Sequence, residues 1–464
     1  MIPMNSMTRM NRTQMNSMTE EFDLGLPTAA QSAPGEPSVW LIDSFSFTPW
    51  YTAALAQSLS RAGSTVRLVS GAFLREPAYF RSLRLQPDAG PVHFLGYMQS
   101  GPLPLRRALR IAEILLNTRA LILSLRDRKG PLPQILHFQQ MPMLNHGLRW
   151  DFSLIDAAQS IGIPVVHTVH NLLPHGTGEL LRSTYADLYR RVDHLVCHSW
   201  SAAHRLAQDF DIPERRISII PHGPLFAPQC LPARHDLLAA RERLQLPSDR
   251  PIVLCQGVLA EYKGLDVLLR AWRICLARWN PTAGPKPLLL IAGNGPRALE
   301  AEVRRAAAEA GDSVRADIRY ISTGDLPAYF TAADILVYPY RSITTSGALL
   351  TGLSYARPIV ASRLAPFQDY LVDGDNALLV KPEDPAALAD SLQTLLLDWS
   401  RTDWSSMRTD SICTHRTAAP APANADGIYA RLVRGAERNS LRYTGWAEIA
   451  DRTINVYRSL AAHT

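Results

Sequence analysis

Twice along this chain, short runs rich in Val, Ile and Leu alternate with segments of helical period, and the alternation breaks once, across the Pro- and Arg-rich residues 221–250. Strands separated by helices are best satisfied by a parallel sheet whose crossover helices cover both faces. The first series opens with SVWLI (38–42), a helix over 51–63 ending at Gly63, and TVRLVS (65–70). It continues through QILHF (134–138), PVVHTV (164–169), HLVCHS (194–199) and ISII (217–220), with helices expected over 151–161 and 201–210. The second series runs through PIVLCQG (251–257), PLLLIAG (287–293), DIRYIS (317–322), DILVYP (334–339), PIVAS (358–362) and NALLV (376–380). Residues 221–250 carry no strand pattern and read as the crossing between two units. A chain of 464 residues also exceeds what one ordinary core organises. The expectation is an α/β protein of two doubly wound, Rossmann-like domains, over 37–222 and 223–445, facing each other across a cleft. An amphipathic helix over 446–464 is expected to return to the first domain.

Composition narrows the partners. The chain is 47% apolar and 19% charged, and it holds no uncharged apolar stretch long enough to span a bilayer. The first 36 residues hold six of the ten methionines among Asn, Ser and Thr, without the apolar core of a signal peptide. They read as a disordered tail with no export address. Five scattered cysteines without a CxxC pair argue against a disulfide framework or a zinc site and for a reducing, cytoplasmic setting. A net charge of +6 is open to three readings, nucleic acid, an anionic membrane or simply an Arg-rich composition; the last is the default, and nucleic acid ranks lowest because the basic residues are spread out and no nucleic-acid-binding pattern accompanies them. Residues 103–129 concentrate Arg106, Arg107, Arg110, Arg119, Arg126 and Arg128 among Leu and Ile at helical spacing. Two readings stand open for this segment. It is either an interfacial helix on the inner face of the plasma membrane or a buried helix pair with a solvated Arg face.

The second half resembles the donor domain of the family 4 glycosyltransferases. The pieces occur in order: GVLAEYKGLDVLLRAW (257–272), LLLIAGNGP (288–296), DLPAYFTAADILVYPYR (325–341), SGALLTGLSYARPIVAS (346–362) and DYLVDGDNALLVKPEDPAALADSL (369–392). HFQQ, PVVHTVHNLLPH and ISIIPHG resemble the acceptor domain and hinge of the same enzymes. The resemblance implies the GT-B fold and transfer of a hexose from a UDP- or GDP-sugar to a glycan or lipid-linked acceptor. It further implies retention of anomeric configuration and a place in polysaccharide assembly. The nucleotide sugar would be a substrate, with no cofactor and no metal. Two glutamates eight residues apart in the family are Ile343 and Thr351 here, and an arginine often found after the first glycine is Val258. A catalytically degenerate relative that binds a glycan or a partner enzyme is the alternative.

A leaving nucleoside diphosphate needs cations, backbone N–H groups and a helix N-terminus to neutralise it. Lys263, beside Gly264 and after the first strand of the second half, is placed for that role. Thr344, Thr345, Ser346, Gly347 and Ala348 follow a strand and open a helix, so their amides and hydroxyls can hold the diphosphate. Gly257, Gly293 and Gly295 permit close backbone approach. Tyr340 and Arg341 of the PYR motif complete the donor set, with Asp369 before YLVDG expected on the donor sugar. In the first half, His170 is the candidate catalytic residue, followed by Asn171, while Trp50 and Tyr51 are expected to stack on the acceptor.

Overall fold

The computed structural model describes residues 36–401, 412–413, 427–441 and 445–462, apart from positions 45, 47, 72–75, 84, 86, 89, 93–102, 129, 175–177 and 229. The tail expected over 1–36 lies outside the described residues, except for Glu36.

The first sheet is six-stranded and parallel: β1 (Val39–Asp43), β2 (Val66–Ser70), β3 (Ile135–Phe138), β4 (Val165–Val169), β5 (His194–Cys197) and β6 (Ile217–Ile219) in the order β2-β1-β3-β4-β5-β6. Its helices are α1 (Pro49–Arg61), α2 (Pro77–Ser82), α3 (Leu103–Arg126), α4 (Trp150–Gln159), α5 (Arg182–Arg191) and α6 (Trp200–Phe210). Side chains along a strand alternate between faces. Val39 and Leu41 accordingly join one buried cluster with α1, and Trp40 and Ile42 join another with α3 and α4. Coverage on both faces explains why the strands read as unbroken apolar runs rather than alternating ones.

After a two-residue strand β7 (Cys230–Leu231) and helix α7 (Arg234–Arg243), the pattern restarts. The second parallel sheet holds β8 (Ile252–Gln256), β9 (Leu288–Gly293), β10 (Val314–Ile318), β11 (Ile335–Tyr338), β12 (Ile359–Ser362) and β13 (Ala377–Val380), in the order β10-β9-β8-β11-β12-β13. Helices α8 (Leu265–Ala277), α9 (Arg297–Ala310), α10 (Leu326–Ala332), α11 (Gly347–Leu353), α12 (Ala365–Gln368) and α13 (Pro385–Arg401) accompany it. Strand β14 (Ile412–Cys413), helix α14 (Ile428–Leu441) and helix α15 (Trp446–Ala461) complete the order. In both sheets the chain first winds one way and then returns to the other side of the opening strand. Switch points therefore fall between β1 and β3 and between β8 and β11, where open α/β sheets place their ligands.

Three sequence expectations change. The crossing 221–250 does contain a strand, since β7 pairs antiparallel with β14, setting Cys230 opposite Cys413 in register. It also contains α7, whose Arg241 is fully buried and paired with Asp334 at 2.5 Å, so its charge does not mark a solvated linker. The strand expected over 317–322 runs Val314–Ile318 instead. Arg315 and Asp317 bridge one another along it, hiding a strand behind charge, and Tyr320 and Thr323 leave the sheet to meet Glu76 of α2's cap.

Helix α15 packs against α1, and its Trp446 indole N–H donates to the Pro224 carbonyl at 2.8 Å. Thr453, a polar residue on the packed face, is buried with its hydroxyl donating to the Ile449 carbonyl at 2.7 Å. Ile454 is buried as well, together with Trp446, Ile449, Val456 and Tyr457.

Candidate active site

In the second half the site is assembled by two loops that leave neighbouring strands at the switch point. The loop after β8 makes a tight turn over Glu261–Lys263 and ends at Gly264 in the left-handed region (φ 65°). A side chain at Gly264 would begin 2.1 Å from the Pro339 carbonyl oxygen, so glycine is what lets this loop touch the one after β11. Arg341 fastens the two together. Its backbone N–H donates to Tyr262, and its guanidinium reaches the Glu261 carbonyl, Asp266 and Glu383 at 2.7–2.8 Å. Arg341 is thus engaged in ion pairs within the domain.

That clamp fixes Lys263. Its ammonium lies 5.3 Å above the Tyr340 ring, within cation–π range. A side chain at Gly257 would begin 2.4 Å from Lys263 Nζ and 3.7 Å from Ala348 Cβ, which locates the ammonium and the first turn of α11 on either side of one glycine. No carboxylate among the described residues pairs with Lys263. Burial pulls its pKa down, with Tyr262 and Cys255 acting weakly in the other direction. Ser346 caps α11 by accepting the Leu349 N–H at 3.2 Å, and Thr345 Oγ1 beside it is buried without a hydrogen bond. A lone buried cation, a buried unpartnered hydroxyl and the open amides of a helix start form an anion-binding arrangement.

The remaining glycines serve the fold. A side chain at Gly293 (φ 147°) would begin 1.9 Å from the Gly257 carbonyl oxygen, and one at Gly295 2.3 Å from that of Leu259. At these positions loop is pressed against loop.

In the first half, histidines gather at the strand ends. His170 Nε2 meets the Gln139 side chain at 3.1 Å and its Nδ1 meets His198 Nε2 at 3.2 Å, while His198 Nδ1 reaches the Ile220 carbonyl at 3.0 Å. A carbonyl only accepts, so His198 carries its proton on Nδ1. Gln139 turns its amide oxygen to His170 Nε2 and its NH2 group to His137 Nε2 at 3.2 Å and the Thr168 hydroxyl at 3.4 Å. Farther in, His137 bridges the Tyr457 hydroxyl at 2.5 Å and Thr168 at 2.7 Å. Burial holds all of these rings neutral, His198 and His167 near 4 and His137 and His222 near 3.

Tyr51 sits at the centre of this cluster, 4.7 Å from the rings of both His170 and His222 and 5.3 Å from that of Trp446. It is fully buried, so its ring has no face left for an acceptor, and the stacking role expected of it is withdrawn. Trp50 is half-buried against Phe80 and Phe226. Asn171 is half-buried beside Leu172, which lines a cavity of about 630 Å3 between the halves, shared with Trp200, Arg205, Ile343, Thr344 and Gln368. Asp369 also lines it but accepts hydrogen bonds from the Ser201 backbone and hydroxyl at the start of α6, at 3.3 and 3.0 Å. The contact sequence reasoning missed is Glu76, whose carboxylate reaches across to Tyr320, the Thr323 amide and the Thr323 hydroxyl.

The family model for "Glycosyltransferase Family 4" matches residues 49–223, and that for "Glycosyl transferases group 1" matches residues 250–398. The chain belongs to the group 1/family 4 glycosyltransferases. Curated relatives of this glycosyltransferase include the D-inositol 3-phosphate glycosyltransferase of Acidothermus cellulolyticus, 28% identical over 66% of this chain and 64% of that protein. That of Catenulispora acidiphila is 25% identical over 71% and 77%. The chain thus spans just under two thirds of the Acidothermus protein. The glycosyltransferase also shares its fold with Anabaena HepE in complex with UDP and glucose (TM-score 0.64, 14% identity, 91% and 100% covered). The sucrose-phosphate synthase of Thermosynechococcus elongatus gives 0.62, at 18% identity, with 92% and 100% covered. Both share the GT-B architecture of two facing Rossmann-like domains.

Proposed function

We propose that this glycosyltransferase moves a hexose from a UDP- or GDP-sugar to a glycan or lipid-linked acceptor, with retention of configuration, in polysaccharide assembly. The nucleotide sugar is a substrate, and no metal or other cofactor takes part. The observation that carries the reading is Lys263, buried without a carboxylate and held against the start of α11. A diphosphate bound there receives a cation from one side and the hydroxyls and amides of Thr344–Ala348 from the other, which stabilises the charge that develops as the glycosidic bond breaks. Among the described residues lining the cleft cavity, Asp369 is the one carboxylate, and it is already engaged by Ser201. The chemistry is therefore read as charge stabilisation and orientation rather than double displacement through a protein carboxylate. His170, held by Gln139 and His198, acts as a rigid neutral wall on the acceptor side. The relatives, by name, use a small phosphorylated polyol, which fits an acceptor entering beside Asn171 and Leu172.

A donor-panel assay tests this. Wild type should consume a UDP- or GDP-sugar, and Lys263→Ala should lower turnover about 100-fold or more, on the order of 3 kcal/mol. Lys263→Arg should rescue only part of it, because a planar fork does not replace a point charge. Wild-type turnover in a folded Lys263→Ala protein would remove the donor-site assignment.

A further inference from the structure

We infer that the outward face of α3 is a docking surface for an anionic lipid bilayer, on which the chain lies without crossing it. No described helix is long and apolar enough to span a membrane. The inward face of α3 is accounted for: Leu121 and Leu125 enter the core beneath the first sheet, and the helix packs along α4. Its outward face is not. Leu105, Leu116 and Leu123 are 47%, 45% and 44% exposed, among the most exposed leucines of the described chain. With the partly exposed Ala112 they follow the spacing i, i+7, i+11, i+18, which at 3.6 residues per turn keeps them within one narrow stripe roughly 27 Å long. Exposed Arg119 and Arg126 run alongside this stripe, and Arg128 continues past its end. Neither Arg119 nor Arg126 has an ionic partner among the described residues.

Charge is sorted between the two sides of the helix. Its only acid, Glu113, is buried, and Arg110 turns inward, into the field of Asp43 and Glu113. What remains outside along the helix itself is leucine flanked by arginine, with Asp127 exposed just past its end beside Arg128. An interface with another protein copy would favour a broader apolar patch depleted of charge at its centre. A narrow leucine stripe with guanidinium groups at its edge fits shallow insertion at the headgroup level, with the arginines on lipid phosphates. The structure also separates the arginines, because Arg110 is partly buried and faces Asp43 and Glu113. Docking goes beyond the transfer reading and does not depend on it, since lipid binding is measured without turnover.

The full chain is floated with vesicles of phosphatidylcholine alone or mixed with phosphatidylglycerol. Wild type should float with the anionic vesicles and less so as salt is raised. Arg119→Gln/Arg126→Gln should weaken partitioning about five-fold per arginine. Leu105→Gln/Leu116→Gln/Leu123→Gln should abolish it while donor hydrolysis and melting temperature stay at wild-type levels. Absence of flotation overturns the proposal, as does flotation that these variants leave unchanged. It is equally overturned if light scattering shows a dimer that the leucine variant separates, since the face then belongs to a second copy.

Discussion

In the proposed donor site, Lys263 is held at the expense of the fold. Burying an ammonium without a carboxylate costs several kcal/mol of effective desolvation, and the Tyr340 ring returns only about 1–2 kcal/mol of that. Lys263→Met keeps the length of the side chain and removes the charge. It should therefore raise the melting temperature while abolishing turnover, a pair of outcomes that calorimetry and a donor assay read together. A fall in melting temperature would mean that the ammonium has a stabilising partner. The place of Lys263 in the fold was legible in the sequence, since it stands after a strand and beside a glycine. Arg241 and Glu76 were not legible. Each owes its role to a partner far along the chain, Asp334 for one and Thr323 for the other, and no local pattern records such a pairing. Tyr51 misled for the opposite reason. A Trp-Tyr pair after the first strand suits a sugar platform, but the histidines that enclose Tyr51 come from three later strand ends.

Among the elements, the strands were the easiest to read, because a sheet covered on both faces demands unbroken apolar runs. The exception was β10, where the Arg315–Asp317 pair breaks the run. Helix α15 carries the clearest prediction at this scale. Trp446 fills the space above Gly223, where an added side chain would begin 2.5 Å from the indole, and it also packs on Tyr51. Trp446→Ala removes that packing and leaves the Pro224 carbonyl without its donor, a loss of about 3–5 kcal/mol for a large buried aromatic. Urea unfolding followed by fluorescence should show the transition of the first domain moving to lower denaturant. A helix that merely rests on the surface would leave that transition where it is.

At the scale of the whole molecule, the two halves are joined across the cleft by Glu76 on one flank and by the Asp369–Ser201 and Tyr370–His198 contacts on the other. Glu76 holds its place with a left-handed backbone (φ 52°), a conformation that costs roughly 1 kcal/mol and persists because three hydrogen bonds offset it. Glu76→Ala should loosen this flank, raising the donor KM more than it lowers kcat and enlarging the radius measured by X-ray scattering. Glu76→Gln, which still accepts a hydrogen bond, should lie between. Acid gives a separate test of the first domain. His137, His167, His198 and His222 are held neutral at about 3–4, whereas in the unfolded chain they take up protons below about 6.5. The unfolded state thus binds more protons, so stability falls as pH drops from about 6.5 toward 4, by about 1.4 kcal/mol per pH unit for each uncoupled ring. Melting temperature measured across that range should fall steeply, and a flat profile would contradict the buried network.

The return of α15 to α1 has a consequence in time. The chain leaves the first domain, builds the whole of the second and only then supplies the helix that closes over Tyr51 and reaches His137 through Tyr457. In connectivity, the second domain is an insertion within the first. Domains usually mature in the order in which they are synthesised. Here the half made first keeps an unfinished core until α15 has been made.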